Sequence, residues 1–253
     1  MKPSGLVLVD KPVGPSSFAV VRDVRDRTGA RAGHAGTLDP FASGLLLVLV
    51  GAATRLAQYL VGLEKRYVTE VDLGARTTTG DPEGELVGEH EPPQCEELER
   101  RLDDLRGDVQ LPVPAASAVK IGGERAYRLA RRGVAVEMPL RRSIVHELAL
   151  EHYDGRVARL ELLVSSGTYV RAIAVALGGH CRTLRRTEIG PFSVADADPE
   201  RVLPAVDALP FLPLVRISAT EARALRAGQK RGAEGVRYVL DGELVAVGRT
   251  VLP

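Results

Sequence analysis

One aspartate of this chain sits where a carboxylate could do chemistry. Asp39 falls in the run Gly33 to Gly51, GHAGTLDPFASGLLLVLVG, between a glycine-rich loop and an apolar strand. Backbone shaped by Gly36 and Pro40 beside a buried strand can hold a carboxylate partly out of water and aim it, as a nucleophile requires. Taken alone, Asp39 is better explained as an Asx turn before a strand, because Asp-Pro turns are common. His34 lies in the same loop, and no second ligand near it in sequence supports a metal role. A second chemical feature is the stretch Pro112 to Arg142, which carries Lys120, Arg125, Arg128, Arg131 and Arg132. Clustered cations neutralise phosphates, although a solvated helix face is the commoner explanation of such a run.

The elements that would position these residues follow from periodicity. Gly5 to Asp10 reads as a strand. Ser16 or Ser17 can cap a helix whose Val20, Val21 and Val24 share a face and which Gly29 ends. Leu45 to Val50 is a continuous apolar strand, and Thr54 to Leu63 has the caps and spacing of a short helix. Arg66 to Leu73 alternates as a strand and runs into a polar, turn-rich segment, Thr77 to Gly84. Leu98, Leu102 and Leu105 mark a helix that packs one face. Ile144 to Leu150 and Arg156 to Ser165 are strands about an Asp154-Gly155 hairpin. Hairpins mixed with helices predict an α+β fold, a mixed and mostly antiparallel sheet with flanking helices. Beyond a proline-dotted linker, Pro204 to Pro213, residues 214–253 predict a strand, a helix from Thr220 to Ala227 and a hairpin at Asp241-Gly242. So short a tail is expected to dock on the main domain.

Composition narrows the function class less. The chain of 253 residues is 45% apolar, ordinary for one large domain with a small appendage. It has no uninterrupted apolar run of about eighteen residues and no signal-peptide pattern at its start, which points to the cytoplasm. Cys95 and Cys181 match no metal-ligand spacing and are expected to be reduced thiols. The net charge of +1 is no global signature of nucleic-acid binding, so any RNA footprint must come from local clustering.

Five segments in a fixed order carry a more specific signal: GLVLVDKPVGPSSFAVV (Gly5 to Val21), GHAGTLDPFASGLL (Gly33 to Leu46), KRYVTEVDLGARTTTGDPEG (Lys65 to Gly84), SSGTYVRAIAVALG (Ser165 to Gly178) and LRRTEIGPF (Leu184 to Phe192). Together they resemble the TruB family of tRNA pseudouridine synthases. The resemblance implies a catalytic domain over 1–205 with the pseudouridine synthase fold, an RNA-gripping insertion at about 112–142, and a reduced PUA-like RNA-binding module over 214–253. It implies isomerisation of the T-loop uridine of tRNA, conventionally position 55, to pseudouridine, with no cofactor, no metal and no obligatory protein partner. The implied partner is tRNA, through its T arm and T loop, and the implied state a monomer.

By the same resemblance Asp39 of GTLDP is the nucleophile, Tyr67 of KRY stacks on the flipped uracil and can relay a proton, and Arg171 of GTYVR pairs with the aspartate and keeps it ionised. Without it, Tyr67 would read as a core tyrosine and Arg171 as a surface helix arginine. His34 is implied to stack where the uridine was, and Tyr169 to pack beneath the nucleotide. Lys11 of DKP is implied to lie near the floor of the site, with a structural ion pair as an equal reading. Lys120, Arg131 and Arg132 are implied to grip the T arm. Ala116 departs from the family pattern, which has an aromatic residue there. Two other readings stand beside this one, a non-catalytic tRNA-folding chaperone and a guide-dependent pseudouridine synthase subunit.

Overall fold

The computed structural model describes residues 2–117, 119–126, 132, 137–229 and 232–252. In chain order the elements begin with β1 (Gly5–Lys11), α1 (Ser17–Thr28), β2 (Ala32–His34), β3 (Ser43–Val50) and α2 (Ala57–Val61). Then come β4 (Lys65–Asp72), β5 (Ala75–Thr77), β6 (Leu86–Glu89), α3 (Cys95–Asp104), β7 (Gly107–Pro112), β8 (Lys120–Ile121) and β9 (Glu124–Arg125). They continue with β10 (Leu140–Tyr153), β11 (Val157–Val164), α4 (Val170–Ala176), β12 (His180–Ile189), β13 (Phe192–Ser193) and β14 (Asp198–Pro204). The last are β15 (Leu214–Arg216), α5 (Ala219–Arg226), β16 (Arg237–Leu240), β17 (Glu243–Val247) and β18 (Thr250–Val251). The residues group into two compact units, one of Met1–Leu63 with Glu188–Pro253 and one of Glu64–Thr187.

In the first unit β1 lies between β14 and β3, antiparallel to both, and β2 also pairs antiparallel with β3. The continuous apolar run of β3 has a simple cause: both its faces are covered. Leu46, Val48 and Val50 join Val7 and Val9 of β1 under Val20, Val21 and Val24 of α1. Leu45, Leu47 and Leu49 join Leu6 and Leu8 on the other face, with Leu56 and Leu60. Helix α1 forms where expected. Ser16 caps it by accepting from Ala19 N, and Gly29, in the left-handed region at φ 61°, ends it.

The expected helix Thr54 to Leu63 is a 3₁₀ turn, Gly51–Leu56, followed by only one and a half turns of α2. The chain bends straight out of β3 at Gly51, where a Cβ would lie 2.5 Å from Pro3 O. The first turn is also pinned by Ser4 Oγ, which accepts from Ala53 N. A tight start on a buried strand end favours the narrower 3₁₀ winding.

The C-terminal residues of this unit build a sheet in the order β15-β16-β17-β18, in which β15 and β16 are parallel and the other pairs antiparallel. Ser218 and Glu221 form a reciprocal capping box on α5. Asp241 and Gly242 both have positive φ, 50° and 85°, the requirement of a two-residue type I′ hairpin. This sheet shares the core of the first unit: Val239, Leu244, Val247 and Leu252 pack with Leu56 and Leu60. Tyr59 seals the junction by donating its hydroxyl to Val247 O at 2.8 Å.

The second unit carries the strand order β12-β4-β11-β10-β7, with β4 to β11, β11 to β10 and β10 to β7 all antiparallel. Strand β4 alternates strictly, with Lys65, Tyr67, Thr69 and Val71 on its buried face. Strand β10 runs longer than expected, from Leu140 to Tyr153, and its pairing with β11 shifts register twice, between Val145 and Glu147 and between Leu150 and His152. At its end Asp154 Oδ1 accepts from Arg156 N and Val157 N, closing the hairpin to β11. Helix α3 buries Leu98 and Leu102, while α4 is buried almost all round, Arg171 included. Strands β8 and β9 form a small hairpin about Gly122 and Gly123, both at positive φ. The fold is thus a mixed, mostly antiparallel sheet with few helices.

Candidate active site

The five segments gather into two clusters, one in each unit. In the first unit the loop after β2 carries Asp39, half-buried, just before β3. Both residues beside it are tied to the segment Lys11 to Ser17. Ser17 Oγ donates to Leu38 O and accepts from Leu38 N, each at 2.8 Å. Pro40 O accepts from Gly14 N at 2.8 Å and from Lys11 Nζ at 3.3 Å. Lys11 is fully buried, and its ammonium also donates to Pro12 O and Pro15 O, both at 2.8 Å. Its three N–H bonds are therefore matched by three carbonyls that shape this loop. DKPVGPSS is thereby a brace for GTLDP. His34 ends β2 opposite Val48, half-buried, and Ala35 N still bonds Leu47 O before the loop departs.

In the second unit Tyr67 is buried on β4, in register with Leu162 of β11. Two residues earlier on the same face, Lys65 donates to Ser166 Oγ of the SSGTYVR segment at 3.3 Å. Burial, with Arg186 of the LRRTEIG segment adding repulsion, lowers the Lys65 pKa to about 8. Tyr169 caps α4 with its backbone, its carbonyl accepting from Ala172 N at 3.0 Å. Arg171 lies on the first turn of α4 with only 2% of its side chain exposed, so it is no surface helix arginine.

Arg171 has a partner that the residue pattern did not single out. Its Nη1 lies 3.1 Å from Asp81 Oδ2, and the Asp81 side chain is 5% exposed. Nη1 also donates to Thr79 O and Nη2 to Ala116 O, both at 3.0 Å. Asp81 Oδ1 in turn accepts from Thr79 Oγ1 at 2.5 Å and Glu83 N at 3.0 Å. The turn holding Asp81 depends on Gly80, at φ 72°, where a Cβ would come 2.9 Å from Val175 of α4. Asp81 stood inside the TTTGD segment, so the signal was present in the sequence. Its polar neighbours made it resemble an ordinary turn aspartate.

The basic set is more dispersed. Lys120 is exposed and sits opposite Arg125 on the β8–β9 hairpin. Arg132 is exposed and pairs with Glu124 at 2.9 Å. Arg131 and Arg128 lie outside the described residues. Among the described residues no three His, Cys, Asp or Glu side chains come together as a metal site, and no helix is long and apolar enough to cross a membrane.

The model of the TruB family pseudouridylate synthase N-terminal domain matches residues 25–170. The chain belongs to the TruB family. It is 40% identical over 256 residues to tRNA pseudouridine synthase B of Thermobifida fusca (strain YX), covering 91% of this chain and 87% of that protein. It is 38% identical over 247 residues to tRNA pseudouridine synthase B of Aquifex aeolicus (strain VF5), covering 89% and 86%. Among solved structures, a chain of a Cbf5-Nop10-Gar1 complex is similar with a TM-score of 0.71 at 24% identity, covering 96% of this chain and 77% of that one. At that identity the likeness shows the fold. For a TruB-family chain, its characteristic segments meet in space at the Asp39 loop braced by Lys11 to Ser17, at the Lys65–Ser166 bond and at the Arg171–Asp81 pair.

Proposed function

We propose that this chain isomerises the T-loop uridine of tRNA, at position 55, to pseudouridine. The observation that carries the reading is its 36–41% identity to proteins named tRNA pseudouridine synthase B. The reaction breaks the N1–C1′ bond, turns the base and joins C5 to C1′. N1 gains a proton and C5 loses one, so no redox partner is required. Asp39 is the carboxylate that attacks the sugar or base, or that stabilises positive charge on the sugar. Its support is the placement of GTLDP on a loop braced from both sides. Tyr67 stacks on the flipped uracil and relays a proton, and Arg171, held at Nη1 by its pair with Asp81, also keeps Asp39 ionised and oriented. His34 occupies the space the uridine leaves, and Tyr169 packs beneath the nucleotide. Lys11 serves the site by shaping the Asp39 loop.

Lys120, Arg131 and Arg132 hold T-arm phosphates, which gives salt-dependent affinity. The Arg132–Glu124 pair is exposed, so exchanging Glu124 for a phosphate costs at most about 1 kcal/mol. The C-terminal sheet is the reduced PUA-like module, and the protein works as a cytoplasmic monomer without guide RNA. The test is incubation of purified protein with a T-arm hairpin, followed by mapping of pseudouridine. Modification of the hairpin at the T-loop uridine is expected. No product from hairpin or full-length tRNA would leave the chaperone or guide-dependent reading in its place.

A further inference from the structure

We infer that Ser17 is a positioning residue for Asp39, an assignment that rests on the function proposed above. Ser17 is the first residue of α1 and is 2% exposed. Its one hydroxyl makes two bonds to one residue, donating to Leu38 O and accepting from Leu38 N. Leu38 N belongs to the peptide joining Thr37 and Leu38, and Leu38 O to the peptide joining Leu38 and Asp39. A group that holds both peptides fixes the two backbone torsions of Leu38, and with them the place from which the Asp39 Cα emerges. On the far side Pro40 O is held by Gly14 N and Lys11 Nζ. Asp39 is therefore anchored one residue before and one residue after, by a segment about twenty-five residues away in sequence.

The anchoring of Leu38 does not depend on the helix cap. The cap is the neighbouring Ser16, whose Oγ accepts from Ala19 N and is exposed. Ser17 adds nothing to that cap, yet it is buried and hydrogen-bonded in both senses to the loop. A carboxylate acting on a sugar or base carbon must be placed within a fraction of an ångström, and misplacement by about 1 Å costs roughly 100-fold in rate. Without the Ser17 hydroxyl, Leu38 N and O would be buried without this partner, and the loop would move to find others.

The two serines provide the experiment. Single-turnover rates at saturating enzyme, T-arm hairpin affinity and thermal melts are measured for wild type, Ser16→Ala, Ser17→Ala and Ser17→Thr. Ser17→Ala is expected to slow the saturated rate roughly 10- to 100-fold, with hairpin affinity within about twofold of wild type. Ser17→Thr, which keeps the hydroxyl, is expected to recover most of the rate. Ser16→Ala is expected to lower the melting temperature while leaving the rate unchanged. If Ser17→Ala is not folded at the assay temperature, Ser17→Cys, which fills the space but bonds weakly, takes its place under the same rate criterion. A wild-type rate for the tested Ser17 variant, or equal slowing by Ser16→Ala, would overturn the assignment. Absence of pseudouridine with wild type would instead overturn the proposed function, so the two failures are distinguishable.

Discussion

Replacing Asp81 with asparagine should destabilise the second unit far more than a change of one atom suggests. The Arg171 and Asp81 side chains are 2% and 5% exposed, so their charges are balanced inside the protein and not by water. Asparagine can still accept from Thr79 Oγ1 and Glu83 N through its remaining oxygen, which preserves the turn. What changes is the atom facing Arg171 Nη1. An acceptor with negative charge becomes an NH₂ donor, and the guanidinium loses that charge partner. Removing one partner of a buried pair costs up to about 3–5 kcal/mol. For a chain of this size each kcal/mol moves the midpoint by about 2–4 °C, so the lowest thermal transition should fall, by up to roughly 6–20 °C. Arg171→Met with Asp81→Asn removes both charges, and this double variant should be less destabilised than the sum of the two single ones. Calorimetry on wild type, the two single variants and the double variant completes the cycle. A midpoint for Asp81→Asn within about 2 °C of wild type, or strict additivity in the double variant, would refute the account of Asp81 as the counter-charge of a buried arginine.

Asp39→Asn should abolish detectable pseudouridine formation while T-arm hairpin binding persists, because an amide is neither a nucleophile of the required kind nor a negative charge. Product mapping and binding on one hairpin check it, and substantial product from the folded variant would remove Asp39 from catalysis. Alanine at Lys120, Arg131 and Arg132 should weaken RNA binding and flatten its dependence on log salt by up to about 0.7–0.9 per lost phosphate contact. The saturated single-turnover rate should stay near normal, and an unchanged salt slope would show that these cations do not hold phosphate. Lys65 has its pKa lowered from 10.5 to about 8 by burial and by Arg186. Between those pH values the unfolded chain binds the extra proton, so raising the pH relieves a folding penalty of up to about 3 kcal/mol. Lys65→Met should therefore be more stable than wild type at pH 7, with the difference shrinking from pH 8 to 10.5. A pH-independent difference in denaturant titrations would contradict that origin.

What could be read from the sequence was what local physics writes into it. The strict alternation of β4 came from one buried face, and the unbroken apolar run of β3 from two. Gly29 and Asp241-Gly242 marked turns because few other residues tolerate positive φ. The β8–β9 hairpin escaped because its two strands have two residues each, too few for periodicity to register. The 3₁₀ start of the segment after β3 depended on Pro3 and Ser4, remote in sequence from Gly51 and Ala53.

The site divides along the same line. Asp39, Tyr67 and Arg171 could be named because their side-chain types sit inside recognisable segments. Asp81 was hidden because a turn aspartate and a buried counter-charge have the same local signature. Only the arrival of Arg171, ninety residues later in the chain, separates the two roles. Ser17 is harder still, since the atoms it holds are the backbone of Leu38, and a peptide group carries no residue identity for a pattern to detect. Residues proposed to react are therefore more legible than residues proposed to aim them, because reaction selects a side chain whereas aiming needs only a bond in the right place. The prediction for Ser17→Ala tests that distinction, since loss of rate without loss of RNA affinity would come from a side chain that never touches the uridine.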